Sequence, residues 1–82
     1  MKVTVLYFAA VRDLVGASEE SLELPPHVTT IDGLAAHLAA LHAALDGRLG
    51  YVRFARNEEF ALAGDPIADG DTIALIPPVA GG

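Results

Sequence analysis

Residues 30–47 read TIDGLAAHLAALHAALDG and predict the one clear helix of the chain. Its large apolar residues recur every three or four positions and therefore share one face: Ile31, Leu34, Leu38, Leu41 and Leu45. Thr30 suits the N-cap, Asp32 suits the first turn, and Gly47 is placed to end the helix in a left-handed conformation. The intervening alanines make a slim helix that can lie close to a sheet.

Strand-like segments lie on both sides of this helix. Five segments have the composition or alternation of strands: residues 3–9, 21–24, 51–56, 60–62 and 72–76. Pro25-Pro26 ends the second strand, because neither residue can donate to a ladder. Residues 12–16 read as a turn or short helical loop closed by Gly16, and Asn57-Glu58-Glu59 turns the chain between the third and fourth strands.

The order of these elements predicts an α+β protein of the β-grasp type. In such a fold, a mixed sheet is crossed on one face by a single main helix, and the first and last strands are central, parallel neighbours. We expect residues 1–77 to form this domain, and residues 78–82 to form a free, flexible C-terminal tail that ends in Gly-Gly.

Composition excludes several classes of function. The 82 residues suffice for one core only. A net charge of −6 argues against binding to nucleic acid, which requires phosphates to be neutralised. The absence of cysteine excludes disulfides, thiolate metal sites and a cysteine nucleophile. No apolar run is long enough to span a membrane, and the N-terminus lacks the pattern of a signal peptide, so we expect a cytoplasmic protein.

Neither the histidines nor the paired acids predict a catalytic or metal site. His37 and His42 lie about 140° apart on a helix and cannot share a face, so we interpret them as surface residues. Asp69 and Asp71 flank a glycine in a turn, and Glu58-Glu59 lie in another. We interpret these carboxylates as solvated turn residues.

The C-terminus carries the chemistry instead. Pro77-Pro78 holds the end of the last strand extended, and Val79-Ala80-Gly81-Gly82 follows. Glycine has no side chain to clash in a narrow channel. We therefore interpret residues 78–81 as a segment that threads into a partner, and the Gly82 carboxylate as the reactive group. A carboxylate needs activation before acyl transfer, commonly by attack on the α-phosphate of ATP.

Three stretches carry a family resemblance that spans essentially the whole chain. They are Val5-Leu6-Tyr7-Phe8-Ala9 with Arg12-Asp13 and Gly16, then Asn57-Glu58-Glu59, and finally residues 69–82, DGDTIALIPPVAGG. They resemble the small, sulfur-carrier subunits of molybdopterin synthase, of the MoaD/ThiS type, in the ubiquitin-like β-grasp group. Arg56 departs from the small apolar residue usual in that family.

The resemblance implies a protein-bound sulfur donor with no permanently bound cofactor. An adenylyltransferase related to ubiquitin-activating enzymes would use ATP to adenylate Gly82, and a persulfide donor would supply the sulfur of a Gly82 thiocarboxylate. The tail would then enter the large subunit of the synthase, which supplies the catalytic residues that build the molybdopterin dithiolene. The family also suggests two small and two large subunits. Since the chain has no cysteine, its sulfur must come from another protein.

The sheet face away from the helix is the predicted partner interface. Strand alternation places Leu6, Phe8 and Ile76 on that face, near the root of the tail. Phe60 extends the same patch, and Pro77 lies where the chain leaves it. A contiguous apolar patch of this kind is typical of a docking surface. We expect Arg12 to have a structural role.

Two alternative functions remain open from the residues. The first is a related carrier that serves thiamine synthesis or tRNA thiolation, or a ubiquitin-like modifier in which Gly82 is joined to lysine. The second is a binding module in which the two terminal glycines have no chemical role.

Overall fold

The computed structural model describes residues 1–78, which form a five-stranded sheet crossed by one main helix. The elements along the chain are strand β1 (Lys2–Tyr7), helix α1 (Ala9–Val15), strand β2 (Glu19–Glu23), helix α2 (Ile31–Leu41), and strands β3 (Arg53–Arg56), β4 (Glu59–Ala61) and β5 (Thr72–Ile76). Two short 3-10 helices, Ala43–Leu45 and Leu49–Tyr51, connect α2 to β3. None of the helices within residues 1–78 is long and apolar enough to cross a membrane.

The sheet has the strand order β2-β1-β5-β3-β4. β1 and β5 are parallel neighbours, and every other pair is antiparallel. The predicted β-grasp architecture is therefore confirmed, including its two parallel strands next to each other inside the sheet. After α2, β5 has the predicted bounds, and β4 is displaced by one residue from its predicted position. β3 begins two residues later than predicted, because the segment around Tyr51 forms a 3-10 turn instead of the start of β3.

The core lies between the sheet and α2. Val3, Val5, Ile73 and Leu75 are buried on the helix-facing side of the two parallel strands, as their alternation predicts. From α2, Ile31, Leu34 and Leu38 close this core. Thr30 caps the helix as expected, since its hydroxyl accepts a hydrogen bond from the Gly33 amide at 3.1 Å.

The prediction that the helix continues to Gly47 is wrong. α2 ends at Leu41, because the backbone of His42 is extended (φ −120°, ψ 97°). The chain then forms the 3-10 turn that carries Leu45 into the core against α1, while Leu41 is left exposed. Gly47 has the left-handed backbone expected of it (φ 75°), but it lies beyond the end of α2.

The segment between β1 and β2 is a true helix and not merely a turn. α1 begins immediately after Phe8, which is its N-cap, and ends at Gly16 with a left-handed φ of 84°. The amide of Gly16 donates to the carbonyl of Arg12 at 2.8 Å. Gly16 thus ends the segment as predicted. Phe8 is the single residue between the end of β1 and the start of α1.

Candidate functional site

A row of four residues in register crosses the sheet on the side away from α2. Phe60 on β4 is opposite Ala55 on β3, Ala55 is opposite Ala74 on β5, and Ala74 is opposite Leu6 on β1. The row arises because each of these residues alternates with a core residue on its own strand. Alanine at the two central positions makes the middle of the row low, while the larger side chains stand at its two ends.

This row forms the floor of an open groove of about 650 Å³. Phe8 and Ile76 line the groove together with Leu6 and Phe60. Phe8 and Phe60 are exposed although both side chains are large and apolar, and 62% of Phe60 is accessible to solvent. Single exposed apolar residues are ordinary, but a contiguous set of them is typical of an interaction surface. We use the name apolar groove for the surface formed by these six residues: Leu6, Phe8, Ala55, Phe60, Ala74 and Ile76.

The groove ends differ in charge. Arg53 shares the groove face of β3 with Ala55, and its guanidinium carbon lies 4.0 Å from the centre of the Phe60 ring. At the other end of β3, Asn57 and Glu58 form the tight turn to β4, both with positive φ (49° and 73°). Positive φ at both turn residues is the geometry of a hairpin turn that matches strand twist. The groove is therefore bounded by a cation at one end and by a polar turn at the other.

The last strand leads out of this groove. β1 and β5 are parallel, so Phe8 and Ile76 lie at the same end of the sheet. Pro77 is half-buried and Pro78 is exposed. The predicted reactive residue Gly82 and the predicted threading residues Val79, Ala80 and Gly81 lie outside the described residues.

A buried carboxylate fixes the polar end of the groove. Asp71 is only 7% exposed, and it accepts hydrogen bonds from Arg56 Nε (2.5 Å), Asn57 Nδ2 (2.9 Å) and the Ala68 amide (2.7 Å). Burial alone raises the pKa of Asp71, but the hydrogen bonds and the Arg56 charge outweigh that effect and lower the pKa below its usual value. The prediction that Asp71 is a solvated turn residue is therefore wrong. Arg56, the departure from the family pattern, is its ion-pair partner.

A second polar cluster joins the sheet to the end of α2. Glu20 on β2 accepts a hydrogen bond from the Tyr7 hydroxyl at 2.6 Å and lies 2.5 Å from His42 Nε2. Burial raises the pKa of Glu20, but the bonds from Tyr7 and His42 reverse the effect and lower the pKa below its ordinary value. Burial, with the neighbouring carboxylate, raises the pKa of Tyr7 strongly. His42 is consequently not a surface histidine as predicted, because its imidazole is mostly covered and packs edge-on against the Tyr7 ring.

Metal binding finds no support within residues 1–78. No group of three histidine, aspartate, glutamate or cysteine side chains there is close enough together to hold an ion. The paired carboxylates are also far from a catalytic arrangement, since Asp71 is committed to three donors and Asp69 accepts from the Lys2 amide.

Four of the predicted interface residues come together in the apolar groove: Leu6, Phe8, Phe60 and Ile76. Pro77 follows directly at its edge. The prediction did not include Ala55 as part of the floor or Arg53 beside Phe60. The signal for both was present in the alternation of β3, where Phe54 faces the core and its two neighbours must face the other way.

Comparison with known proteins identifies relatives over the full length. The model of the ThiS family matches residues 5–82. The molybdopterin synthase sulfur carrier subunit of Chlamydomonas reinhardtii is 42% identical, with all of both chains covered. Small archaeal modifier protein 1 of Haloferax volcanii is 32% identical, with 92% of this chain and 94% of that protein covered.

Solved structures agree with these relationships. The crystal structure of SAMP1 from Haloferax volcanii has a TM-score of 0.87 at 27% identity and covers all of both chains. A complex of subunits 1 and 2 of the molybdopterin-converting factor from Helicobacter pylori contains a chain with a TM-score of 0.70 at 26% identity, again with all of both chains covered.

Proposed function

The chain belongs to the ThiS family, and we propose that it is the sulfur carrier of a molybdopterin synthase, with Gly82 as the residue that bears the sulfur. The single observation that carries this proposal is the position of the last strand. β5 lines the apolar groove through Ala74 and Ile76 and then leads, within six residues, to the terminal Gly-Gly. In this proposal, the docking surface and the reactive C-terminal end belong to one continuous segment of the chain.

The proposed chemistry begins with activation of the terminal carboxylate. The Gly82 carboxylate attacks the α-phosphate of ATP within an adenylyltransferase, and pyrophosphate leaves. The outer sulfur of a donor persulfide then displaces AMP from the carbonyl carbon and gives an acyl disulfide. An external thiol attacks the donor sulfur of that S–S bond, so that the thiocarboxylate leaves and the donor is left in a disulfide with the thiol. The chain has no cysteine, so the sulfur is supplied by another protein.

The proposed principal partner is the large subunit of the synthase. The relative from Helicobacter pylori is in complex with subunit 2 of the same factor, which supports an equivalent contact here. The apolar groove would supply the anchors for that contact, since large apolar side chains around a central depression are typical of binding hot spots. The net charge of −6 favours partners with basic surfaces and would speed association.

Intact-mass measurement tests the chemistry directly. The chain purified from cells that make molybdenum cofactor should show a species heavier by the exchange of one oxygen for sulfur, and fragmentation should place this exchange on Gly82. A variant without Gly82 should lack that species and should fail to restore molybdopterin synthesis in cells that lack their own carrier. Restoration by that variant would contradict the proposal, and its unchanged thermal unfolding would show that folding was not the cause of a failure.

A protein modifier is the second candidate function, because small archaeal modifier protein 1 is similar over nearly the full length. In that case Gly82 would be joined to lysine side chains of other proteins. Peptide mapping separates the two functions, since a modifier leaves isopeptide-linked peptides that end in this chain's Gly-Gly. If the chain were instead a carrier for thiamine synthesis or tRNA thiolation, it would restore thiamine or thiolated tRNA in cells that lack the corresponding carrier, and it would not restore molybdopterin.

A further inference from the structure

Arg53 stands at the end of the apolar groove from which the chain leaves. It lies directly opposite Ile76 in the pairing of β3 with β5, so the two side chains share the groove face. Its guanidinium rests over the ring of Phe60 at 4.0 Å. Arg53 thus contacts one predicted anchor of the docking surface and is the cross-strand neighbour of another.

No carboxylate of residues 1–78 forms an ion pair with Arg53. The ion pairs among those residues use the N-terminal amine, His42 and Arg56. Arg53 is exposed in a chain with eleven acidic residues and five basic ones. Stacking on an aromatic face occupies the plane of a guanidinium but leaves its N–H groups free at the edge. The structure therefore holds a cation ready to donate at the edge of an apolar surface.

Docking changes the surroundings of this cation. A partner that covers Phe60 and Ile76 also removes water from the Arg53 guanidinium, which rests over the Phe60 ring. A guanidinium that loses water without a new acceptor opposes binding, whereas a carboxylate offers it paired, charge-assisted hydrogen bonds. The partner that fits this end of the groove consequently presents an acidic side chain next to its apolar contact.

We propose that Arg53 is a specificity-determining residue that binds a carboxylate of the synthase large subunit at the rim of the apolar groove. The inference rests on the proposed function and adds to it a charged contact by which the correct partner is selected. Arg53 would act on recognition only, at the groove, and takes no part in the chemistry of Gly82.

The test is the affinity of the full chain for the large subunit encoded in the same genome, measured at about 50 mM and about 500 mM salt. Arg53→Ala should weaken binding by about tenfold at low salt and by much less at high salt. Arg53→Lys, which keeps the charge but not the planar fork, should recover part of the loss. Arg48→Ala is the matched control, because it removes the same charge from an exposed residue between the two 3-10 helices and not from a strand of the groove, and it should change the affinity by less than about twofold.

Equal effects of Arg53→Ala and Arg48→Ala would overturn the inference, because only net charge would then matter. A loss of affinity that is the same at both salt concentrations would also overturn it, since the acceptor would be uncharged. Ile76→Asp separates this inference from the proposed function. If Ile76→Asp abolishes binding while Arg53→Ala does not change it, groove docking stands and the carboxylate contact falls. If Ile76→Asp leaves binding unchanged, groove docking itself is wrong.

Discussion

At the scale of single residues, Asp71 is the carboxylate on which the polar end of the groove depends. It joins the start of β5 to the hairpin turn after β3 through Arg56 and Asn57. The same turn is tied a second time, because Asn57 Oδ1 accepts from the Thr72 amide at 2.9 Å. Asp71 therefore helps to hold β4 in its orientation, and with it Phe60, although it lies on the loop before β5.

Asp71→Asn should lower the free energy of unfolding by about 2 kcal/mol, because it removes a charge-assisted bond and leaves Arg56 without its counter-ion. Asp69→Asn is the matched control in the same turn. Asp69 is exposed, and the hydrogen bond that its side chain accepts from the Lys2 amide survives the change to an amide oxygen, so we expect a change below about 0.5 kcal/mol in the free energy of unfolding. Urea denaturation of both variants measures the difference, and equal stabilities would contradict it.

The ion pair of Asp71 with Arg56 also predicts how the stability of the protein depends on pH. The pKa of Asp71 is lower in the folded state than in the unfolded state, so its contribution is present above the ordinary aspartate pKa of about 4. That contribution is lost as the pH falls through the folded-state pKa. The stability gap between the natural chain and Asp71→Asn should therefore narrow on acidification. A gap that is constant from neutral to strongly acidic pH would show that the Asp71 charge is not the stabilising feature.

Tyr7 offers a second residue with a measurable titration. The chain has two tyrosines and no tryptophan, so a Tyr51→Phe variant reports the ionisation of Tyr7 alone by its tyrosinate absorbance. We expect its midpoint well above the ordinary value of about 10, because burial and Glu20 both disfavour the phenolate. Stability should fall as the pH rises beyond about 10, since only the unfolded chain then ionises freely. A midpoint near 10 in the folded protein would contradict this description.

Asp71 and His42 also show what could not be predicted residue by residue. An aspartate in an Asp-Gly-Asp turn reads as solvated, because the local sequence does not show that Arg56 and Asn57, fourteen and more positions earlier, are folded against it. His42 likewise reads as one more polar residue on a helix. Its ring is covered because β1 and β2 bring Tyr7 and Glu20 next to the end of α2.

At the scale of elements, the two helices differ in how far the sequence determines their ends. The start of α2 was predictable, because a threonine N-cap acts within one turn. Its end was not, because the leucine repeat continues past Leu41 and only tertiary packing decides that Leu45 enters the core from a 3-10 turn. The end of α1 was predictable, since Gly16 supplies a backbone geometry that other residues adopt only under strain.

Gly16→Ala should destabilise the protein by about 1 kcal/mol. A methyl group at this position would meet no atom within 4 Å, so the cost is that of placing an alanine at φ 84° and not of a clash. Gly50→Ala is the control, since that position is equally open but its φ is not positive, and we expect it to be neutral or slightly stabilising. Thermal unfolding of the two variants gives the comparison, and equal shifts would show that the left-handed cap of α1 is unimportant.

At the scale of the whole molecule, the groove depends on the register of four strands, which come from the two ends of the chain and from the hairpin of β3 and β4. Alternation on β1 and β5 predicted that Leu6 and Ile76 share the outer face, and the parallel pairing confirmed that they belong to one surface. The depth of the groove depends on Ala55 and Ala74 standing opposite each other, which requires the register of β3 on β5. Strand composition does not specify that register, so the shape of the site needed the structure.

Partner binding should depend on which face of the sheet an apolar side chain lies on, and not only on how far that side chain is exposed. Phe8 and Leu41 are exposed to nearly the same extent, 46% and 49%, but Phe8 lines the apolar groove whereas Leu41 lies on α2, across the sheet from it. Phe8→Asp should abolish binding of the synthase large subunit, because it places a charge among the anchors that docking must dehydrate. Leu41→Asp introduces the same charge and should leave the affinity within about twofold. Calorimetric titration of both variants decides the matter, with thermal unfolding to verify that each is folded. If Leu41→Asp were the damaging change, the partner would bind the helical side and the groove would need another role.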